Sequence, residues 1–498
     1  MKRILTIILL SCFYFLASGQ NYPVDSVRIT GENEHRVVYV FIGDGYQDIE
    51  LADFDLDVEK VVNDFFNKTP FKEYRDFFNI YRIDVPSNES GSDHPGTATD
   101  VTEPAHEVKI VDTEFDCTFD GGGIHRLLVS RATGNAYSVL AQNTPEYDQG
   151  FILCNSPHYG GAGGNLATSS IHNAASEIVI HEIGHSFAGL WDEYWNGSGG
   201  EYPNMSRESD PNEVRWKHWL GVNGVGIYSY GNSAPQSNWY RPHQNCQMRS
   251  LNREFCPVCA EQIIKSIYAL APPLEDVVPE AGQLIMNEDE LKVTATIVYP
   301  IPNTLNVSWE LNGEIIQENT DTIVLSHEIL GLDYNILRLL VRDDTDMIRD
   351  PNAIIEFRRN WTIVKDLDND GFTSDVDCDD NNAAINPDAD DIPNNNIDED
   401  CDGEDATTLV LDLSDSSISI FPNPSNGQIN LKSDRQLNTF IDILSLDGKS
   451  VYSQNILLSE NEATSITLSP NLANGIYVLK IYDPHKQRFT SGLMTISK

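Results

Sequence analysis

The chain of 498 residues is short of positive charge: 33 Lys or Arg stand against 76 Asp or Glu, a formal net charge of −43. A field of that sign repels phosphate backbones and anionic headgroups, which excludes nucleic acid and acidic membrane surfaces as partners. Long apolar runs are missing as well. Only Ile4–Leu16 approaches one, and Thr6, Ser11, Cys12 and Tyr14 interrupt it. No later stretch reaches the roughly 20 residues a membrane span needs. The single CxxC, Cys256-Pro-Val-Cys259, has no second copy to complete a zinc knuckle, and no Ser/His or Cys/His motif for nucleophilic catalysis stands out. Hydrophobic residues at 40% and charged residues at 22% are ordinary for a globular protein, so the acidity is not wholesale disorder. The length predicts about two to four domains.

The N-terminus combines Lys2-Arg3, the short apolar run and the small residues Ala17-Ser18-Gly19, which reads as a secretory signal peptide cleaved after Gly19. Leu10-Ser11-Cys12 is a poor match to a lipidation signal. Cleavage leaves Cys117, Cys154, Cys246, Cys256, Cys259, Cys378 and Cys401, an odd set that leaves at least one thiol free in an oxidising compartment. Cys256 and Cys259 are expected in a structural disulfide, with Cys246 as a candidate partner, and Cys378 and Cys401 as a second pair.

Buried-strand and helix-like runs alternate up to about Leu270: Arg36–Gly43, Glu50–Phe66, Phe78–Val85, Phe151–Cys154, Ser169–Leu190 and Ala260–Leu270. This mixture predicts an α/β domain over residues 20–271, ended by Ala271-Pro272-Pro273. Residues 272–364 change to short alternating runs around Trp309 and an Asn312-Gly313 turn, an immunoglobulin-like β-sandwich. Residues 365–405 are an acidic segment, with 16 carboxylates and no Lys or Arg between Asp366 and Asp405. Residues 406–498 return to short strands broken by Pro422, Gly427, Gly448 and Gly475, a second small β-sandwich of nearly balanced charge.

Ser176–Trp195 reads SEIVIHEIGHSFAGLWDEYW. His181 and His185 are four apart, so on a helix both imidazoles project from one face and can share a Zn²⁺. Glu182 lies beside them, suited to take a proton from a metal-bound water. Val179, Ile183 and Phe187 form the opposite, core-facing side. Gly189 can end the helix and turn the chain, after which Asp192, or else Glu193, returns as third ligand.

HEIGHSFAGLWDEY resembles the zinc helix of the IgA peptidase family of secreted bacterial metallopeptidases. Gly43-Asp44-Gly45-Tyr46, Asn88-Glu89-Ser90-Gly91, Phe119–Gly123, Gly160–Gly164, Cys246-Gln247-Met248-Arg249 and Phe255–Cys259 are similar to that family too, over about residues 33–270. The resemblance implies a zincin-like (metzincin-like) catalytic domain with one catalytic zinc. Metzincins carry their third ligand six residues after the second histidine. Here that position is Trp191, and Asp192 follows a one-residue insertion that also shifts Gly189. Cys-x-Met-Arg looks like the methionine turn beneath a metzincin metal, with Met248 as its methionine. Gly160–Gly164 would form a flexible rim to the cleft.

Asp366-x-Asp368-x-Asp370-Gly371, with Asp377 at the twelfth position, has calcium-loop spacing, and Asp398-x-Asp400-x-Asp402-Gly403 repeats its start. The expectation is one structural Ca²⁺ on Asp366, Asp368, Asp370 and Asp377. Phe421-Pro422-Asn423-Pro424, Asp447-Gly448-Lys449 and Gly475–Lys480 resemble the C-terminal sorting domain of the type IX secretion system, which implies that machinery as a partner. The whole therefore reads as a multidomain protein, secreted or surface-attached, with no transmembrane span once the signal is cleaved. Its expected activity is zinc-dependent endopeptidase cleavage of extracellular proteins, immunoglobulin or other host or environmental glycoproteins. The competing class is a catalytically weak surface binding protein working through its sandwich and calcium segment. Intact His181, Glu182 and His185 favour the enzyme.

Overall fold

The computed structural model describes residues 21–164, 166–286, 290–331, 334–392, 395–405, 412–413, 418–483 and 488–498; the expected signal peptide and its cleavage point lie outside them. Contacts divide the chain into two compact units, one of residues up to Leu284 with Glu288–Ile363, the other of Ile285–Asn287 with Val364–Lys498.

The apolar run Val37–Asp44 becomes β2, the centre of a six-stranded sheet ordered β1-β3-β2-β6-β8-β7. The others are β1 (Val24–Arg28), β3 (Phe78–Ile83), β6 (Gln149–Cys154), β7 (Gly161–Ala162) and β8 (Leu166–Ser170); β4 (Cys117–Thr118) and β5 (Val129–Ser130) form a separate ribbon. Strands β3, β2, β6 and β8 are parallel, in register Val40↔Tyr81, Val40↔Gly150 and Ile152↔Thr168, while β1 and β7 run antiparallel at the edges. All eight residues of β2 are buried, the pattern of a parallel strand covered on both faces. Period-two alternation divides them. Tyr39 and Phe41 face one core with Phe151; Val38, Val40 and Ile42 face the other with Phe115, Leu140 and Ile152.

On the first face lie α1 (Leu51–Phe65) and α3 (Ala175–Ser186), which insert Phe54, Val58, Val61 and Phe65, and Val179, Ile180 and Ile183. Helix α2 (Thr133–Asn143) covers the other face through Ala136, Val139 and Leu140. Helix α4 (Pro257–Leu270) starts at a proline, whose missing N–H costs nothing at that position.

A β-sandwich follows in the same unit. One sheet orders Leu274–Val278, Glu290–Ile297 and Thr322–Ser326. In the other, Glu356–Lys365, Tyr334–Asp343, Leu305–Leu311 and Glu314–Glu318 are neighbours in that order, and Trp309 and Trp361 pack 5.8 Å apart in the core. Polar groups join it to the helical layer. Asp343, 1% exposed, accepts hydrogen bonds from the hydroxyls of Tyr74 at 2.8 Å and Tyr268 at 2.6 Å, and from Thr304 at 2.6 Å. Glu261 on α4 accepts from the backbone N–H groups of Arg349 and Asp350, and Arg36 pairs with Glu275.

In the second unit the acidic segment carries turns rather than helix or strand, closed by a Cys378–Cys401 disulfide. Beyond it two four-stranded sheets enclose a core of Ile420, Leu431, Ile441, Leu479 and Met494. The protein is thus multidomain and largely β, and among the described residues its α-helices lie in the first unit. Among the described residues no helix is long and apolar enough to cross a membrane.

Candidate metal centre

Helix α3 owes its place to the face of Ile178, Val179, Ile180 and Ile183, which is buried against the sheet. The helix ends because Gly189 takes φ +62°, the left-handed conformation glycine adopts without a Cβ clash. The Gly189 N–H donates to the His185 carbonyl at 3.1 Å and the Leu190 N–H to the Gly184 carbonyl at 2.9 Å, folding the chain back along the helix.

That reversal brings Asp192 to the histidines. Its Oδ1 lies 3.1 Å from His181 Nε2 and 3.3 Å from His185 Nε2, and the two Nε2 atoms are 3.2 Å apart. The opposite ring nitrogens face carbonyls: His181 Nδ1 is 3.0 Å from Gln247 O and His185 Nδ1 2.8 Å from Leu190 O. A carbonyl only accepts, so each Nδ1 carries a proton, and the Nε2 atoms are the ones turned toward Asp192. Asp192 Oδ2 accepts from Asn196 at 3.0 Å, and its carbonyl accepts from the Tyr230 hydroxyl at 2.8 Å.

Burial would raise the Asp192 pKa, but the hydrogen bonds and charge of His181 and His185 outweigh it and hold the carboxyl well below the usual range. His185 moves the other way: burial disfavours its charge, yet Asp192 and Glu182 raise its pKa overall. Glu182 is pushed up by burial against the opposing pull of the two histidines.

A cleft of about 430 Å³ opens over these groups, lined by Gly161–Gly164, Glu182, Trp191 and Tyr194. A Cβ on Gly163, at the rim, would press into the Glu182 carboxylate. Arg126 also lines the cleft; it sits in no recognisable motif, and only the path of the β4–β5 ribbon brings it there. Tyr194 is raised to about 12, first by burial and then by Asp192, so it is a protonated donor at neutral pH. Beneath the helix lies Met248, fully buried, its Cε 3.2 Å from where a Gly184 Cβ would stand.

Glu193, the other candidate third ligand, points away from the histidines. Its Oε1 lies 3.3 Å from Cys259 Sγ, 3.7 Å from Cys256 Sγ and 3.3 Å from Asn204 Nδ2. The disulfide expected among Cys246, Cys256 and Cys259 is not formed: all three are free thiols, with the Cys246 and Cys259 sulfurs 3.7 Å apart. The CxxC opens α4, and both of its side chains reach Glu193.

In the acidic segment Asp377 lies near enough to Asp368 and Asp370 to feel their charge. Asp366 accepts the N–H groups of Asn369 at 2.8 Å and Gly371 at 3.2 Å, which tightens the loop. Buried Oδ2 atoms of Asp368, Asp370 and Asp377 have no hydrogen-bond partner among the described residues. Asp380, which spacing alone does not single out, presents a fourth such oxygen. Burial, and then the neighbouring aspartates, raise Asp377 and Asp380.

Residues 26–221 match the family model IgA Peptidase M64. That stretch is similar to this peptidase family. Residues 419–492 match the secretion system C-terminal sorting domain, the type IX module, so the protein is secreted or held at the cell surface. No curated protein matches the chain. Among solved structures it is similar to PorZ, a surface component of the type-IX secretion system of Porphyromonas gingivalis, at 14% identity and TM-score 0.14, over 19% of this chain and 13% of that one. A DUF3244-family protein with an immunoglobulin-like β-sandwich fold from Bacteroides vulgatus matches at 22% identity and TM-score 0.14, over 16% of this chain and 85% of that one. CopC from Methylosinus trichosporium matches at 14% and 0.13, over 18% and 92%. TM-scores this low carry no argument about fold or function.

Proposed function

We propose that this protein is a zinc-dependent endopeptidase of extracellular proteins, built on a zincin-like α/β domain, with an immunoglobulin-like sandwich and a calcium-holding segment as accessories. The observation that carries the reading is the triangle of His181 Nε2, His185 Nε2 and Asp192 Oδ1, with edges of 3.1 to 3.3 Å. Ligand distances of about 2.0–2.1 Å in a tetrahedron set edges of about 3.3 Å, so the three atoms fit a zinc ion. When bound, zinc supplies Lewis-acid polarisation of the scissile carbonyl and lowers the pKa of its water toward about 7.

The protein's own groups do the rest. Glu182 takes the proton of the attacking water and delivers it to the leaving amine, and its raised pKa moves it toward working pH. Tyr194 and Arg126 are the cleft donors suited to the developing oxyanion. Gln247 and Leu190 hold the imidazoles through their carbonyls. In the acidic segment, Asp366, Asp368, Asp370 and Asp377, joined by Asp380, would hold Ca²⁺, whose charge offsets their repulsion.

The test is Glu182→Gln with zinc content measured alongside hydrolysis of a protein panel. A fall of about 10²–10⁴-fold in rate with zinc retained is expected. Undiminished cleavage would remove Glu182 as the base, and absence of cleavage by the unaltered protein would favour the surface-binding reading.

A further inference from the structure

Behind Asp192, on the side away from the cleft, four more ligand atoms meet. Cys246 and Cys259 are 0% exposed, Cys256 2% and Glu193 0%. One ligand atom of each lies within 4.8 Å of all the others. A tetrahedral zinc with Zn–S about 2.3 Å and Zn–O about 2.0–2.2 Å requires S···S edges of about 3.8 Å and S···O edges of about 3.5 Å. The edges here are 3.7 Å between the Cys246 and Cys259 sulfurs, and 3.3 and 3.7 Å from Glu193 Oε1 to Cys259 and Cys256.

Two further features point to an ion. Glu193 Oε2 is buried with no hydrogen-bond partner among the described residues, a cost of several kcal/mol for a carboxylate left unpaired. No ion pair to Glu193 is found among them either; Arg241 lies near enough to feel its charge, but its guanidinium sits over the Tyr230 ring at 5.1 Å. Cys256 is the N-cap of α4 and Cys259 lies in its first turn, where the helix dipole favours thiolates. The Cys256 N–H also donates to Cys246 Sγ at 3.3 Å. A disulfide would bond two of the sulfurs and still leave Glu193 Oε2 buried without a partner among the described residues.

We propose that Cys246, Cys256, Cys259 and Glu193 form a closed, four-coordinate site for a second ion of the zinc class, separate from the His181–His185–Asp192 site and structural in purpose. Binding is not a redox step: each coordinating thiol releases its proton to solvent as its sulfur bonds the ion. The site ties together the segments that shape the cleft. Glu193 adjoins Asp192 and donates its N–H to the Met248 carbonyl at 2.7 Å, and Cys246 precedes Gln247, whose carbonyl holds His181. The ion would therefore fasten α4, the Met248 turn and the Asp192 segment into one rigid support.

The full chain loaded with Co²⁺ in place of zinc provides the test. Three thiolates on cobalt give a strong ligand-to-metal charge-transfer band in the near ultraviolet, which a His/His/Asp site does not. The band is expected in the unaltered protein and in a His181→Ala/His185→Ala variant, whose metal content should fall by one ion per chain. It should disappear in Cys259→Ser. Should that variant not fold, the unaltered protein decides alone. A cobalt-loaded chain with no thiolate band, or a peptide map joining two of the three cysteines in a disulfide, overturns the proposal. Either result leaves the catalytic reading standing, and loss of the His/His/Asp ion alone leaves this one standing.

Discussion

Gly163→Ala isolates the cleft geometry from the stability of the fold. Gly163 is exposed and outside the left-handed region, so a methyl group there strains no backbone. The new Cβ would overlap Glu182 Oε2, with Glu182 Cδ at 3.2 Å and His185 Cδ2 at 3.8 Å. Ordinary contact begins at 3.4 Å, so the carboxylate must swing by about 1 Å. A displacement of about 1 Å in a catalytic group costs on the order of 100-fold in rate, roughly 2.7 kcal/mol of barrier. The assay is kcat/KM on a quenched-fluorescence peptide library beside a thermal melt. Gly134→Ala is the control, since it lies in α2 with open space around it and should change only helix propensity, by about 1 kcal/mol or less. The expected result is a loss of about 100-fold in Gly163→Ala with Tm unchanged within about 1 °C. Unchanged kcat/KM would refute the close approach, and parallel loss of activity and Tm would show that Gly163 acts through the fold.

Three other outcomes follow from the same contacts. Asp343→Ala strands the buried hydroxyls of Tyr74 and Tyr268 and the half-buried one of Thr304, and should destabilise the first unit by about 3–5 kcal/mol in a denaturant titration. Burial raises Glu261, but the His218 hydrogen bond and two backbone N–H groups prevail and its pKa lies below the ordinary value. Its stabilisation is therefore present above the unfolded pKa of about 4.3 and lost as pH falls through the lower folded value. Melts of the protein and of Glu261→Gln should differ by about 1.5–3 kcal/mol at pH 7 and converge on acidification; a constant gap contradicts this. Calcium should protect residues 365–405 from protease, and a cleavage pattern indifferent to chelator would leave that segment a plain acidic linker.

Much of the N-terminal fold is legible because local pattern and tertiary role coincide. The unbroken apolar run at Val37–Ile42 could only be satisfied by burial on both faces, and it became the sheet centre. Phe54, Val58 and Phe65 announced the buried face of α1 by their spacing alone. Cysteine pairing was less legible. Cys378 and Cys401 do meet, but nothing in the spacing of Cys246, Cys256 and Cys259 told a disulfide from a thiol cluster. That difference depends on where Glu193 points.

By itself the sequence determined the helical pair His181 and His185, because a four-residue interval on a helix places two side chains on one face whatever surrounds them. It likewise determined the loop spacing of the acidic segment, whose four candidate carboxylates lie within twelve residues, and the sorting module, whose turns are local. Tertiary structure alone decided which of two adjacent carboxylates meets the histidines. Asp192 and Glu193 differ by one step along the chain, and the reversal at Gly189 sends the first to the imidazoles and the second into the cysteines. It also decided the approach of Arg126, the carbonyls of Gln247 and Leu190, and the close approach of Gly163 to Glu182. Each of these is a meeting of segments set by packing, and sequence spacing carries no information about such meetings.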